Sequence, residues 1–259
     1  MSGVALAPPP GAAVLDACSA PGNKTLHLAA LAGESGHVTA VERDKKRYGR
    51  LRSNVKKHGG NNVTALLRDF LQLVPAEYPQ ITHILVDPSC SGSGMLTENL
   101  VTDFKGVDQA KVEQLATLQT TLLTHALSFP GAQRVVYSTC SVYARENEQV
   151  VAEVLAQQAD TWQLAKVLPD WARRGDTTVL PEADKCVRCL PEDGTNGFFL
   201  ACFVRREQEP PVEPADEDFL GGRDIQNIFS VKHINMRFRL KYPYKYPRKF
   251  VKRFSVCTG

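Results

Sequence analysis

Two cysteines that lie fifty residues apart are the side chains of this chain best suited to covalent chemistry. Cys90 lies in the segment Asp87-Pro-Ser-Cys-Ser-Gly-Ser-Gly94, and Cys140 lies in the segment Tyr137-Ser-Thr-Cys-Ser141. A thiolate that adds to carbon 6 of cytosine makes carbon 5 able to attack a methyl donor, and covalent catalysis of this kind divides one hard step into easier ones. Another group must then take the proton from carbon 5 before the cysteine can leave.

Both cysteines follow short apolar runs, residues 81–86 and 134–137, that are predicted to form buried strands. Ligands of an open α/β sheet bind just past the carboxyl ends of its strands, so both thiols should lie at one edge. A third segment, Asp16-Ala-Cys-Ser-Ala-Pro-Gly-Asn-Lys-Thr25, ends another predicted strand and opens a helix, which favours a nucleotide-like ligand. Together the three segments predict a methyltransferase that attacks a pyrimidine base through a cysteine.

The third segment is not one of the common nucleotide-binding loops. It lacks both the G-x-G-x-x-G pattern of dinucleotide sites and the first glycine of a P-loop. Gly22 would let the backbone approach a ligand closely. Glu42, at the end of the next predicted strand and about twenty residues further on, suits hydrogen bonds to ribose hydroxyls. A purely structural turn remains the alternative.

A reactive cysteine also needs a suitable environment, because a free thiol has a pKa of about 8.5 and must be deprotonated to attack. Asp87, at the end of the fourth predicted strand, is placed to hydrogen-bond the base, and Lys24 would add positive potential. The side chains of Cys18, Cys202 and Cys257 are predicted to be small buried hydrophobes. Cys186-x-x-Cys189 lacks a second pair of ligands, so we predict no metal site.

The order of the predicted elements is that of an α/β protein. Alternating strands and helices of this length predict a Rossmann-like, doubly wound and mostly parallel sheet. The predicted strands are residues 13–17, 37–41, 63–67, 81–86, 135–137 and 197–204, and the predicted helices are residues 25–31, 44–57, 108–127 and 146–157. The buried stripe of the third helix is predicted to contain Val112, Leu115, Ala116, Leu118, Leu122 and Leu123.

Composition and charge divide the chain into three parts. The whole has 43% hydrophobic and 23% charged residues, as ordinary globular proteins do. Residues 1–206 are predicted to form the catalytic core, residues 207–222 an acidic, Pro-rich linker, and residues 223–259 a basic, aromatic and poorly ordered tail. The tail suits nucleic acid or another polyanion, with a merely solvated tail as the alternative.

Several classes of protein are disfavoured. The chain contains no apolar run of the roughly 18 residues that span a membrane, and its first residues do not resemble a signal peptide. Its seven cysteines are an odd number and widely spread, which is a poor disulfide framework. We therefore expect an intracellular protein with free thiols and no membrane partner.

The three motifs in combination resemble the S-adenosylmethionine-dependent RNA cytosine-5 methyltransferases of the Nop2/Sun/Fmu type, over roughly residues 8–206. The Gly-Asn-Lys form of the first motif, with Asn23 where most of the family has glycine, looks closest to the eukaryotic nucleolar subgroup that acts on large-subunit ribosomal RNA. The resemblance implies a class I methyltransferase fold, S-adenosylmethionine as cofactor, RNA rather than DNA as partner, and a nuclear, nucleolar location.

The resemblance also implies roles for individual residues. Cys140 is implied to be the nucleophile and Cys90 to assist product release, with Asp87 as the third catalytic residue. DNA cytosine-5 methyltransferases instead use the cysteine that directly follows proline, and Ser89 intervenes here. The residues implied to bind the methyl donor are Cys18, Ser19, Ala20, Pro21, Gly22, Asn23, Lys24, Glu42, Arg47, Asp69 and Asp87.

Two other functions remain to be weighed. Members of the family usually carry an RNA-binding region before the donor loop, and this chain begins almost at that loop, so we expect an N-terminally truncated core. A donor-binding or RNA-scaffold fragment without turnover is therefore the main alternative. An amino-group methyltransferase is disfavoured, because Ser89-Cys90 offers no aromatic ring to stack the base.

Overall fold

The structure, a computed structural model, describes residues 1–95 and 108–206. The predicted acidic linker and basic tail lie outside the described residues, as does Cys257. Within the described part, eight strands form one sheet with helices on both faces. The strands are β1 (Ala13–Asp16), β2 (His37–Glu42), β3 (Val63–Leu67), β4 (His83–Val86), β5 (Arg134–Thr139), β6 (Trp162–Leu164), β7 (Val187–Cys189) and β8 (Phe198–Arg205). The helices are α1 (Ser2–Leu6), α2 (Asn23–Ala32), α3 (Lys45–Lys57), α4 (Gln109–Leu127) and α5 (Glu148–Gln158).

The strand order is β3-β2-β1-β4-β5-β8-β6, and β7 pairs with β8. The first five strands are parallel, while β8 runs antiparallel to β5, β6 and β7. The predicted doubly wound, mostly parallel sheet is confirmed. The order along the chain reverses between β1 and β4, and in such sheets the crevice at this reversal is where ligands bind.

The helices begin and end where local chemistry dictates. Asp44 caps α3 by accepting from the backbone N–H of Arg47 at 2.8 Å, and Asp108 caps α4 in the same way. Gly22, with φ at +109°, precedes α2 in a conformation that side chains other than glycine's rarely adopt. Helix α2 begins directly after Gly22, two residues earlier than predicted.

The core has two layers because residues alternate between the two faces of each strand. Leu15, Ile84 and Tyr137 face α4 and α5, whereas their neighbours Val14 and Val136 face α1 and α2. On α4, the predicted stripe is buried at Val112, Ala116, Leu122 and Leu123, while Leu115 and Leu118 are only partly covered.

Several boundaries differ from the prediction. The fourth strand begins at His83 rather than at residue 81, because the N–H of Ile81 bonds the carbonyl of Tyr78 in a turn. The last helix begins at Glu148 rather than at residue 146, because residues 144–146 form a 3₁₀ turn. Among the described residues, no helix is both long enough and apolar enough to cross a membrane.

Candidate active site

The two cysteine thiols meet at the carboxyl edge of the sheet. Val86 of β4 and Tyr137 of β5 are paired in register, and each cysteine follows its strand by a few residues. The sulfur atoms of Cys90 and Cys140 lie 3.1 Å apart, and both side chains are partly buried. The prediction that both thiols occupy one edge is therefore correct in its geometry.

The two thiols share one proton unequally. The hydrogen bond from Cys90 lowers the pKa of Cys140 to about 7, with a further contribution from Lys24, against the opposing effects of burial and of Asp87. The same hydrogen bond, followed by burial, raises the pKa of Cys90 well above its ordinary value. Near pH 7, Cys140 is therefore ionised in about half of the molecules, while Cys90 keeps its proton. A thiolate is the nucleophilic form of cysteine.

Asp87 and Lys24 form an ion pair beside the thiols. Asp87 Oδ1 also accepts a hydrogen bond of 2.7 Å from Ser138 Oγ, which in turn accepts one of 3.3 Å from Ser2 Oγ. The Lys24 ammonium lies 5.4 Å from the centroid of the Phe198 ring. Residues from four elements or their ends therefore fix the carboxylate at the end of β4.

A buried carboxylate holds the loop that carries Cys90. Glu146 is fully buried and accepts three hydrogen bonds, from the N–H of Ser91 at 2.9 Å, the hydroxyl of Ser91 at 2.5 Å and the side-chain amide of Gln119 at 3.0 Å. Gln119 Nε2 also donates to the carbonyl of Ser89 at 3.1 Å. Hydrogen bonds to a charged acceptor are stronger than neutral ones, so Glu146 should limit the movement of the Cys90 loop.

The loop that carries Cys140 is held by a second set of contacts. Asn147 donates to the carbonyl of Ser141 at 2.9 Å and accepts from the hydroxyl of Thr139 at 2.6 Å. The N–H of Gly94 donates to the carbonyl of Cys140 at 2.9 Å, and the N–H of Gly197 donates to the carbonyl of Gly94 at 2.7 Å. A Cβ atom on Gly94 would lie only 2.6 Å from the carbonyl oxygen of Gly197, so this backbone crossing requires glycine.

A cleft next to the thiols lies at the reversal between β1 and β4. Its empty volume, including the open mouth, is about 430 Å³. It is lined by Ala17, Cys18, Val41, Glu42, Arg43, Arg47, Asp69, Phe70, Ser89, Leu118 and Leu122. One wall is thus apolar and the other carries acids and arginines.

The acids of the cleft are held by their own neighbours. Glu42 is buried, accepts from the N–H of Asp44 at 2.9 Å and has an oxygen 3.5 Å from Arg47 Nε. Arg47 also donates to the carbonyl of Ala20 at 2.9 Å, which ties α3 to the loop after β1. Asp69 accepts from the N–H of Leu71 at 3.0 Å.

Comparison with known proteins identifies the family. The family model of the 16S rRNA methyltransferase RsmB/F matches residues 3–204. The chain belongs to this family. The relationship predicted from the three motifs is therefore confirmed, and the sheet is that of a class I methyltransferase.

Individual members of the RsmB/F family are considerably longer. The chain is 44% identical to the 28S rRNA (cytosine-C(5))-methyltransferase of Mus musculus over 81% of its own length and 46% of the relative's. It is 46% identical to the 25S rRNA (cytosine-C(5))-methyltransferase rcm1 of Schizosaccharomyces pombe, over 76% of this chain and 45% of the relative. The chain thus spans about half the length of these curated relatives. Its structure matches a methyltransferase homologue from Pyrococcus horikoshii with a TM-score of 0.62 at 28% identity, over 79% of this chain and 65% of that one.

The structure distributes the donor-binding residues expected for an RsmB/F protein between two places. Cys18, Glu42, Arg47 and Asp69 line the cleft. The loop of Ser19, Ala20, Pro21, Gly22, Asn23 and Lys24 borders it: Ser19 Oγ donates to the carbonyl of Val41 at 2.9 Å, and the carbonyl of Pro21 accepts from Asn54 at 2.8 Å. Asp87 lies with Lys24 at the thiols rather than in the lining of the cleft.

Sequence reasoning missed part of this RsmB/F site. Arg43, Phe70 and Ser89 were not singled out, and Leu118 and Leu122 were assigned only to the core. It also missed that Asp16 is buried, with one oxygen accepting from Thr25 Oγ1 at 2.7 Å and the other lacking a hydrogen-bond partner among the described residues. Burial raises the pKa of Asp16 to about 7.

Proposed function

We propose that the chain is the catalytic core of an S-adenosylmethionine-dependent RNA methyltransferase that modifies carbon 5 of a cytosine, in large-subunit ribosomal RNA. The observation that carries the proposal is the thiol pair, in which the sulfur atoms of Cys90 and Cys140 lie 3.1 Å apart beside the cleft. The names of the mouse and fission yeast relatives, which give 28S and 25S rRNA as their substrates, support this substrate. On the same ground we propose a nucleolar location.

The cleft fits an adenosine-containing donor. The buried carboxylate of Glu42 stands at the end of β2, where ribose hydroxyls are bound in sheets of this kind. Phe70, Leu118 and Leu122 supply an apolar wall for a flat base, and Asp69 supplies a hydrogen-bond acceptor at its edge. S-adenosylmethionine, when bound, supplies an electrophilic methyl group.

The thiol pair explains how two cysteines divide the chemistry on the base. The Cys140 thiolate adds to carbon 6, and the electron pair of the carbon 5–carbon 6 bond becomes available at carbon 5. Asp87, fixed by Lys24 and Ser138, offers a polar contact to the ring edge that favours this addition.

Product release follows from the same pair. A Cys140 sulfur that is bonded to carbon is no longer a thiolate and is a weaker acceptor for the hydrogen bond from Cys90. The main cause of the raised pKa of Cys90 is thereby removed. Cys90 can then release its own proton to solvent and, as a thiolate, take the proton from the methylated carbon 5. The carbon 5–carbon 6 double bond re-forms, the bond to Cys140 breaks, and Cys140 leaves as a thiolate.

Two single substitutions test this division of labour. With ribosomal RNA lacking the modification and with S-adenosylmethionine, Cys140→Ala should abolish both methyl transfer and any protein–RNA adduct. Cys90→Ala should still methylate the bound RNA but accumulate a covalent complex that migrates slowly on a denaturing gel. Cys202→Ala, which removes a buried thiol of β8 outside the site, is the matched control and should behave as the wild type.

Other outcomes would contradict the proposal. If the adduct accumulates in Cys140→Ala and disappears in Cys90→Ala, Cys90 is the nucleophile. If the wild type binds the donor but neither forms an adduct nor transfers methyl, the chain is a donor-binding scaffold rather than an enzyme.

A further inference from the structure

Helix α3 is an unusually basic surface element outside the thiol site. Seven of its thirteen residues are Lys or Arg, and none is acidic. Of these, Arg47 is bonded to Glu42 and to the donor loop. The other six are exposed and form no ion pair with any residue of the described ranges: they are Lys45, Lys46, Arg50, Arg52, Lys56 and Lys57.

Part of this charge pattern opposes the stability of the helix itself. Lys46 and Arg50, like Arg52 and Lys56, are like charges four residues apart, and each such pair costs roughly 0.2–0.5 kcal/mol. The first turn contains three cations and no acid, although the positive end of the helix dipole favours acids there. A solvated helix has no need of this pattern, whereas a helix that binds a polyanion benefits from it.

One side of α3 forms a groove with the edge strand β3. Lys45, Arg52 and Lys56 line its helical wall, and Val63 and Leu67 line its strand wall. The strand has no neighbour on this side among the described residues, and Leu67 is 46% exposed. We call this feature the α3–β3 groove.

Tyr48 gives the groove an aromatic surface. Its hydroxyl donates to the carbonyl of Ala65 at 3.3 Å, which positions the ring against β3. The Arg52 guanidinium lies 5.9 Å from the centroid of the ring. A row of cations beside an aromatic ring and an apolar strip matches an unpaired nucleic-acid strand, whose phosphates are anionic and whose bases stack on aromatic side chains.

The position of α3 connects the groove to the active site. The helix begins directly after β2, at the sheet edge where the thiol loops lie, and its thirteen residues span about 20 Å at 1.5 Å per residue. Arg47, in its first turn, lines the donor cleft. We propose that the α3–β3 groove binds the backbone of the RNA strand that flanks the target cytosine. This proposal rests on the proposed function, which supplies RNA as the polyanion.

The test neutralises the three cations of the groove together, as Lys45→Gln, Arg52→Gln and Lys56→Gln in one variant. Glutamine has nearly the helix propensity of lysine and arginine, and its introduction removes the repulsion between positions 52 and 56. The melting temperature should therefore be equal to or above that of the wild type. A fall in RNA affinity cannot then be attributed to unfolding.

The expected effect on affinity follows from counterion release. For a single strand each phosphate contact contributes about 0.7 to the slope of log K against log salt, so three lost contacts should flatten the slope by about two. The affinity for a fluorescent single-stranded RNA of about 20 nucleotides should fall by about a hundredfold at 0.1 M salt and converge with the wild type near 1 M. The matched control removes three cations elsewhere, as Lys166→Gln, Lys185→Gln and Arg206→Gln, and should keep the slope.

Each alternative result decides the matter. An unchanged slope in the groove variant would overturn the proposal while leaving donor binding and adduct formation to support the proposed function. Equal flattening in both variants would show an effect of net charge alone and would also overturn it. Equal competition by polyglutamate would indicate an acidic protein partner instead of RNA. Failure of the wild type to transfer methyl, with the groove effect intact, would count against the proposed function only.

Discussion

The hydrogen bond between the two thiols predicts how the reactivity of Cys140 depends on pH. Cys90 is the main cause of the lowered pKa of Cys140. Cys90→Ala should therefore return that pKa at least to the value of a free cysteine, about 8.5. Cys90→Ser keeps a donor at the same position and should preserve most of the lowering. The difference between pKa values of about 7 and about 8.5 corresponds to roughly 2 kcal/mol.

The expected difference in the pKa of Cys140 predicts a difference in its rate of reaction. At pH 7 about half of the Cys140 thiols are ionised in the wild type, against about 3% at a pKa near 8.5, a ratio of about sixteen. A thiolate of higher pKa is intrinsically more nucleophilic, by about fivefold for this difference. Cys90→Ala should therefore react about threefold more slowly at pH 7 and about fivefold faster above pH 9.5.

The assay is the rate of alkylation of Cys140 by iodoacetamide across pH 5.5–10.5, quantified on the tryptic peptide by mass spectrometry. Peptide-level readout separates Cys140 from Cys18, Cys186 and Cys202, whose pKa values burial raises. Rate curves that cross between pH 7 and pH 10 support the reasoning. An identical midpoint in the wild type and in Cys90→Ala would refute it, and Lys24 would then be the group to test as the cause.

Three further predictions concern the cleft and the buried charges. Glu42→Ala and Asp69→Ala should each weaken S-adenosylmethionine binding by about tenfold or more, since a lost hydrogen bond to a buried ligand costs roughly 1–3 kcal/mol. Calorimetry that shows wild-type affinity in both variants would contradict the assignment of the cleft to the methyl donor. Arg188→Met should lower the free energy of unfolding by about 3–5 kcal/mol, because it leaves the fully buried Glu148 carboxylate without its bidentate partner. A thermal melt would measure this, with Arg173→Met at a less buried ion pair as the control. Glu146→Gln should slow methyl transfer without weakening the binding of S-adenosylmethionine, because the amide N–H groups of glutamine would face the hydrogen-bond donors of Ser91 and Gln119. Unchanged turnover would show that the Cys90 loop does not depend on this carboxylate.

The central strands were predictable because each is a short apolar run followed by a turn, and β1 to β5 lie close to their predicted positions. Helix α1 and strands β6 and β7 were missed because they contain only five, three and three residues, too few for a period to show. Their positions are set by packing: Ala5 and Leu6 of α1 cover the face of the sheet that contains Val136.

Within the candidate site, residue type and position in the sequence singled out the two cysteines, Asp87 and the loop after β1, and the structure brings them to one edge of the sheet. Residue type and position were not enough for Glu146, whose neighbours Arg145 and Asn147 suggest an exposed turn, or for Ser138, which lies inside a strand. The hydrogen-bond partners of Glu146 and Ser138 come within reach because β4 pairs with β5. Gln119 did leave a signal, since it interrupts the apolar stripe of α4 three residues after Ala116 and four before Leu123.

Strand β5 is hydrogen-bonded along both of its edges, to β4 and to β8. Its backbone amides should consequently be among the slowest of the chain to exchange with deuterium, since they are released only when the whole sheet opens. Cys140, the proposed nucleophile, directly follows this strand and is thus attached to a persistent part of the fold. On heating, the reactive environment of Cys140 should disappear in the same cooperative transition as the sheet, rather than through earlier melting of a loop.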